Sequence, residues 1–139
     1  PGAAAIIPVL EDGRIILVEQ FRNALGKKTF EIPAGGIEKG ESAYDCVFRE
    51  IEEETGYRSD NIQFLIKVVT AIGFCDETIP IYVAKNLMKT EQHLDEDEEI
   101  DLKVVTVGEA VEMILNGTIV DSKTVAGILA YQVSQKQDK

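Results

Sequence analysis

The stretch ESAYDCVFREIEEETG, residues 41–56, sets the reading of this chain. It crowds Glu50, Glu52, Glu53 and Glu54 into five positions, where like charges repel one another. A helix is expected from about Ser42 to Thr55. Ser42 serves as its N-cap, Asp45 stands three residues on in a capping-box-like position, and Gly56 is well placed as a C-cap. With Ala43 at the centre of a wheel of about 100° per residue, Cys46 and Val47 fall on either side of it. The next residues on that stripe are Glu50 and Glu54, with Glu53 at its edge. Glu52 points the opposite way and reads as a solvated residue. The inward face is therefore apolar at first and then acidic. Unpaired carboxylates there cost on the order of several kcal/mol in desolvation. A divalent cation removes that cost, because hard cations take clustered oxygen ligands and i, i+3, i+4 spacing brings three carboxylates within mutual reach. A solvated glutamate face is the alternative. The helix by itself is compatible with Mg²⁺ or Mn²⁺ at this face.

Outward from the helix, the order of elements is mixed. AAAIIPVL and RIILVEQF are β-rich runs separated by Glu11-Asp12-Gly13, a hairpin signal. TFEI (29–32) reads as a short strand ending at Pro33, followed by a flexible Ala34-Gly35-Gly36 turn. IQFLIKVVTAI and TIPIYVAKNL are two further strands joined through Gly73-Phe74-Cys75-Asp76. HLDEDEEI reads as an acidic loop, IDLKVVTV as a strand, and GEAVEMILNG and SKTVAGILAYQV as short helices. The tail SQKQDK is polar and expected to fray. No repeat or linker interrupts this order, which predicts one α/β domain over residues 1–139.

Composition narrows the function classes. The 139 residues carry 14 Lys+Arg against 25 Asp+Glu, a formal charge of −11. Such a surface repels nucleic-acid backbones and anionic membranes, yet it admits a small anionic ligand where metal ions reverse the local sign. No apolar run approaches the roughly 20 residues of a membrane span. PGAAAIIPVL lacks a basic n-region, so no secretory signal is expected, and a start at Pro rather than Met suits a processed or trimmed piece. Cys46 and Cys75 are expected as free thiols in a reducing, cytoplasmic setting. One His and two Cys leave little material for a zinc site or a His-based triad.

Gly35, five residues, Glu41, seven residues and then Arg49-Glu50-Ile51-Glu52-Glu53-Glu54-Thr55-Gly56-Tyr57 resembles the signature of the Nudix hydrolases, G-x5-E-x7-R-E-U-x-E-E-x-G-U with U aliphatic. Every fixed position is present, and Tyr57 at the last U is the single departure. The resemblance runs from Ala3 to about Ala130 and is strongest over residues 17–57. It implies an α/β/α sandwich with a mixed central β-sheet, and an enzyme that cleaves a nucleoside diphosphate linked to another moiety. It further implies that Glu50, Glu53 and Glu54 hold Mg²⁺, with Mn²⁺ as a substitute, helped by Glu41 and by the backbone carbonyl of Ala34. Glu53 and Arg49 then belong to the catalytic set, with Arg49 orienting the glutamates through ion pairs. Gly35 and Gly36 let the loop fold tightly over the start of the helix.

The flanks resemble the ADP-ribose pyrophosphatase branch. EQFRNALGKKTFEIPAGGIEKGES matches its strand ending in Gln-aromatic-Arg before a Glu-Ile-Pro-Ala-Gly turn, and DEDEEIDLKVVTVGEAVEMILNGTIVDSKT is similar along its whole length. By position, Arg22 and Glu31 are expected to contact substrate or shape its site, and Glu77 to lie near it. The acidic loop is expected to supply the glutamate that activates water, with Glu98 the first candidate and Glu96 the second. An EF-hand reading of that loop fails, because it has no central Gly and no spaced ligand register. Two departures stand out. Ile72-Gly73 replaces the branch's frequent Pro-Gly, and the chain starts directly at the first strand where relatives carry an additional β segment. That segment builds a homodimer and lends residues to the adenine pocket, so either it has been cut away or adenine is held differently. A homodimer remains the expected assembly. Phe21, Phe74 and Tyr82 read more simply as core residues than as base stackers. The expected reaction is Mg²⁺-dependent hydrolysis of ADP-ribose or a similar ADP-sugar, a small nucleotide-sugar substrate, to AMP and sugar phosphate. The alternatives are another nucleotide (GDP-mannose, a dinucleoside polyphosphate, an oxidised dNTP) or a catalytically silent nucleotide sensor.

Overall fold

The computed structural model describes residues 2–137. Its centre is β1 (Ala3–Pro8), a run with side chains buried on both faces. Ala4 and Ile6 point to one side, where they pack with Cys46, Val47 and Ile51 of helix α1 (Ala43–Thr55). Ala5 and Ile7 point to the other, into a larger apolar cluster that includes Ala110, Ile119, Ile128 and Tyr131. That second layer is built by α2 (Val107–Leu115) and α3 (Ser122–Gln137). Strand alternation thus feeds two helical layers from one strand, and the α/β/α arrangement follows.

Two sheets provide the middle layer. One is mixed and runs β4-β1-β6-β5, with β4 (Ala34–Gly36) antiparallel to β1, β6 (Thr78–Lys89) parallel to β1, and β5 (Tyr57–Val69) antiparallel to β6. The other is antiparallel and runs β3-β2-β7, from β3 (Lys27–Glu31), β2 (Ile15–Arg22) and β7 (Ile100–Val105). The mixed sheet between helices is as the sequence predicts.

Several local readings are corrected. The Glu11-Asp12-Gly13 turn closes, with Leu10 N–H on Arg14 carbonyl at 2.8 Å, but its flanking strands join only through the single bridge Val9↔Ile15. Both edges of β1 are already taken by β4 and β6, so β2 must enter the other sheet. Ala34-Gly35-Gly36 is a strand, not a flexible turn, because its backbone pairs with Ala3–Ala5. The β5 strand begins straight after the Gly56 cap and ends at Val69, short of the predicted Ile72. Helix α3 continues through Gln137, so Ser134–Gln137 of the predicted frayed tail is helical, while the rest of that tail lies outside the described residues.

The caps of α1 form as expected. Ser42 Oγ accepts the Asp45 N–H at 3.0 Å, and Gly56 takes φ 74°. That left-handed angle suits glycine. Ile51 is fully buried between α1 and β1. Ile51→Ala is therefore expected to cost about 2–5 kcal/mol in urea unfolding, the range for emptying a well-packed aliphatic site. A loss under about 1 kcal/mol would show that this helix face is loosely seated.

Candidate active site

The last two turns of α1 lie against β4, and the residues there form a tight charged set. Arg49 is its hub. Its Nε and Nη2 donate to the two oxygens of Glu41 at 2.9 and 3.0 Å, and Nη1 donates to Glu50 at 2.8 Å and to Glu53 at 3.1 Å. Nη2 also reaches the Gly36 carbonyl at 3.3 Å. These bonds hold the Glu41 carboxyl down to about 2 and push the Arg49 pKa up. Gly35 of β4 faces Glu50 so closely that an added Cβ would displace that side chain from its place beside Arg49.

Glu54 stands apart from the Arg49 set. It is buried, and its Oε1 accepts the Ala34 N–H at 2.9 Å. Burial lifts its pKa to about 8; the Ala34 bond opposes the rise, while Glu50 and Glu98 add to it. Burial likewise lifts Glu50 to about 7 against the pull of Arg49, with Glu53 and Glu98 repelling. Glu52 faces away and meets Arg58 at 3.5 Å.

A cleft of about 370 Å³ opens over this cluster, lined by Glu50, Glu53, Glu54 and Arg49, by β4, and by Gln20, Arg22, Asp95 and Glu98. Glu98 is half-buried and its side chain accepts the Asp95 N–H at 2.8 Å. Glu96 is exposed and lines a different depression with Phe21 and Asn23, so the structure brings Glu98 and not Glu96 to the cluster. The register explains the difference. Strand β7 begins at Ile100, whose partner is the cleft-lining Gln20, and Glu98 lies just ahead of that pairing.

A second cleft of about 370 Å³ shares Arg22 and β4 with the first and is completed by Thr70, Glu77, Ile79, Asp121, Ser122 and Lys123. Arg22 clamps Glu31 through Nε at 2.8 Å and Nη2 at 2.9 Å. Glu31 is buried yet held down to about 2, because Arg22, Lys123 and the Thr29 hydroxyl outweigh its desolvation. Glu77 is exposed and accepts the Thr70 hydroxyl at 2.9 Å. Sequence reasoning missed Lys123 and Asp121. The contact of Lys123 with Glu31 spans 92 residues, and no local spacing announces it. It also misplaced two rings: Phe21 and Phe74 are 53% and 95% exposed, not core, and neither cleft is lined by an aromatic residue.

The donor set around the first cleft suits a hard divalent cation. It is all oxygen and strongly acidic, and two of its carboxyl groups carry an ionisation cost that a cation would relieve. Among the described residues, no three His, Cys, Asp or Glu side chains converge closely enough to form a ready-made metal group. Arg49 supplies the positive charge and draws Glu41, Glu50 and Glu53 toward itself. Glu50, Glu53 and Glu54 are the residues that would turn to an ion.

The raised pKa values have a definite sign in stability. Between the ordinary 4.5 and about 7 for Glu50, or about 8 for Glu54, the folded chain holds more protons than the unfolded one, so metal-free stability falls as pH rises through that window. In EDTA, the thermal midpoint is expected to drop between about pH 5 and about pH 8, and to drop less in Glu54→Gln. Equal drops in the two proteins would remove Glu54 as a source of the effect.

Comparison with known proteins places this arrangement in a family. The chain matches the NUDIX domain over residues 1–127. It is 45% identical over 137 residues to a methanol dehydrogenase activator of Bacillus methanolicus, and 36% identical over 137 residues to an ADP-ribose pyrophosphatase of Bacillus subtilis. Each alignment covers 97% of this chain and 74% of the relative. A crystal structure of an ADP compounds hydrolase superposes with a TM-score of 0.87 at 21% identity, covering 99% of this chain and 75% of the other, which shows a shared fold. With its glutamates, Arg49 and Gly35 gathered at the end of α1, the chain belongs to the Nudix hydrolase family.

Proposed function

We propose that the chain hydrolyses the diphosphate bond of ADP-ribose or a similar ADP-sugar, in a Mg²⁺-dependent reaction that yields AMP and a sugar phosphate. The observation that carries this reading is the pair of clefts meeting at Arg22: one gathers the acidic end of α1 with Glu98, the other is polar and lined by Thr70, Glu77, Asp121 and Ser122. A diphosphate spans such a junction. The ADP-ribose pyrophosphatase relative supports the substrate class.

Glu50, Glu53 and Glu54 would hold the cation, with Glu41 and the Ala34 carbonyl as further ligands. A bound Mg²⁺ would supply charge neutralisation for the diphosphate and a lowered pKa for the attacking water. The work of the chain's own groups is separate. Arg49 keeps the glutamates in register through its ion pairs. The Ala34 N–H fixes the rotamer of Glu54. Glu98 takes the proton of the water whose oxygen bonds to one phosphorus as the bridging P–O bond breaks and the leaving phosphate departs. Arg22 faces the diphosphate from the junction, with Glu31 setting its plane. The second cleft, with carboxylate and hydroxyl groups and no aromatic lining, suits a hydroxyl-rich sugar.

The relative named a methanol dehydrogenase activator favours a second reading, in which the chain raises the activity of a dehydrogenase by acting on a nucleotide that the enzyme uses. Among the described residues, no helix is long and apolar enough to cross a membrane.

The test is phosphate release after alkaline phosphatase, with Mg²⁺, from ADP-ribose, ADP-glucose, GDP-mannose, Ap4A, NADH and 8-oxo-dGTP. ADP-ribose is expected to lead, with EDTA abolishing turnover. A lead by NADH would favour the dehydrogenase reading, and a lead by any other member would reassign the substrate. Glu53→Gln and Glu54→Gln are each expected to lower kcat on the order of 10²-fold or more with the fold intact by circular dichroism. Near-normal rates in both would overturn the ligand assignment.

A further inference from the structure

The second cleft is floored by a relay of side chains that begins deep in the protein and ends at Arg22. The Thr124 hydroxyl accepts the Ile32 N–H at 3.0 Å and donates to Asp121 Oδ2 at 2.5 Å. Asp121 Oδ2 accepts Lys123 Nζ at 2.9 Å, and Lys123 Nζ reaches Glu31 Oε1 at 3.0 Å. Glu31 Oε1 also accepts Arg22 Nη2, while its Oε2 takes Arg22 Nε and the Thr29 hydroxyl. Of its members Arg22 is the most open to solvent. Thr124 is fully buried, the Glu31 and Lys123 side chains are 5% and 13% exposed, and Arg22 is 46% exposed. Among the described residues, Arg22 Nη1 has no hydrogen-bond partner, and Arg22 is the charged side chain that lines both clefts.

Charge sharing gives the relay a purpose. Two cations and two carboxylates make it neutral overall, and Glu31 divides its attraction between Arg22 and Lys123. If Lys123 lost its charge, Glu31 would bear on Arg22 alone and weaken its hold on an incoming anion. The Glu31 carboxyl would also lose the bond that fixes its plane, and with it the direction of the bidentate Arg22 fork. Thr29 holds only the other oxygen, so without Lys123 the sole remaining side-chain partner of Oε1 among the described residues is Arg22, the group to be oriented.

We propose that Lys123 and Asp121, from the start of α3, are positioning residues for diphosphate binding: they fix Glu31 so that Arg22 presents its free Nη1 to the phosphates where the two clefts meet. This rests on the pyrophosphatase reading above. Lys123 acts through Arg22, and its loss has no further effect once Arg22 is gone.

The test is a double-mutant cycle of Lys123→Met, Arg22→Met and the double variant. Two readouts are taken: hydrolysis of ADP-ribose with Mg²⁺, and ADP-ribose affinity in EDTA by calorimetry. Lys123→Met is expected to raise KM and Kd about tenfold while kcat stays within about threefold, and in the Arg22→Met background it is expected to add less than about twofold. Lys123→Arg restores most of the affinity, and Asp121→Asn moves KM the same way by less. An equal penalty in both backgrounds would make Lys123 a direct substrate contact and overturn the proposal. So would a lowered melting temperature with unchanged KM and Kd, which marks a structural role. Binding of ADP-ribose without cleavage by the parent chain would overturn the pyrophosphatase reading alone, since the cycle is still read through Kd. A parent chain that neither binds nor cleaves ADP-ribose overturns both.

Discussion

The guanidinium of Arg49 is where the apolar core of this protein meets its acidic cleft. One planar group with five N–H donors joins the loop before α1 through Glu41, the strand β4 through the Gly36 carbonyl, and the helix itself through Glu50 and Glu53. A lysine offers no such fork and would serve fewer of these partners at once. Because Arg49 absorbs three of the carboxylates, the helix can turn an acidic stripe toward the interior without unfolding at that end. Glu54, one turn beyond Glu50 and without a bond to Arg49, relies on the Ala34 N–H and is left with a pKa of about 8. The same geometry that stabilises the fold therefore keeps the site short of positive charge.

That shortage matters in a chain of net charge −11. An anionic ligand approaching Glu50, Glu53, Glu54 and Glu98 meets repulsion, and the cations beside the clefts are few. Arg22 and Lys123 lie on the far wall, and Glu31 and Asp121 already engage both. The site is thus divided into a strongly acidic half that wants a cation and a balanced half that can orient an anion without binding it tightly.

Strand β1 makes the division possible. It is buried on both faces and paired on both edges, so it fixes β4 against α1 on one side and the sheet against α3 on the other. Gly127 of α3 sits where an added Cβ would lie 3.3 Å from Ile32 and Ile81 side chains, a close approach that brings α3 down onto the sheet and Lys123 to Glu31. Core packing here sets distances between charged groups that lie far apart in sequence.

The sequence alone determined what is local and periodic. Helix α1, its two caps, the switch from apolar to acidic along one stripe, and the family that this pattern marks are all legible, because residues three and four apart share a face in any α-helix. Tertiary structure decided the rest. Ala34-Gly35-Gly36 looks like a turn until β1 offers it an edge to pair with. Glu98 ranks ahead of Glu96 by its place just before a strand, but only the pairing of Ile100 with Gln20 puts one at the cleft and leaves the other in solvent. Phe74 has core-like chemistry, yet its loop between β5 and β6 lies beyond the last paired residues and exposes it. Lys123 meets Glu31 only because a helix from the end of the chain docks on a strand near its beginning. Periodicity reports which way a side chain points within its own element; which partner stands opposite depends on how sheet edges and helices join, and that is set by packing across the whole chain.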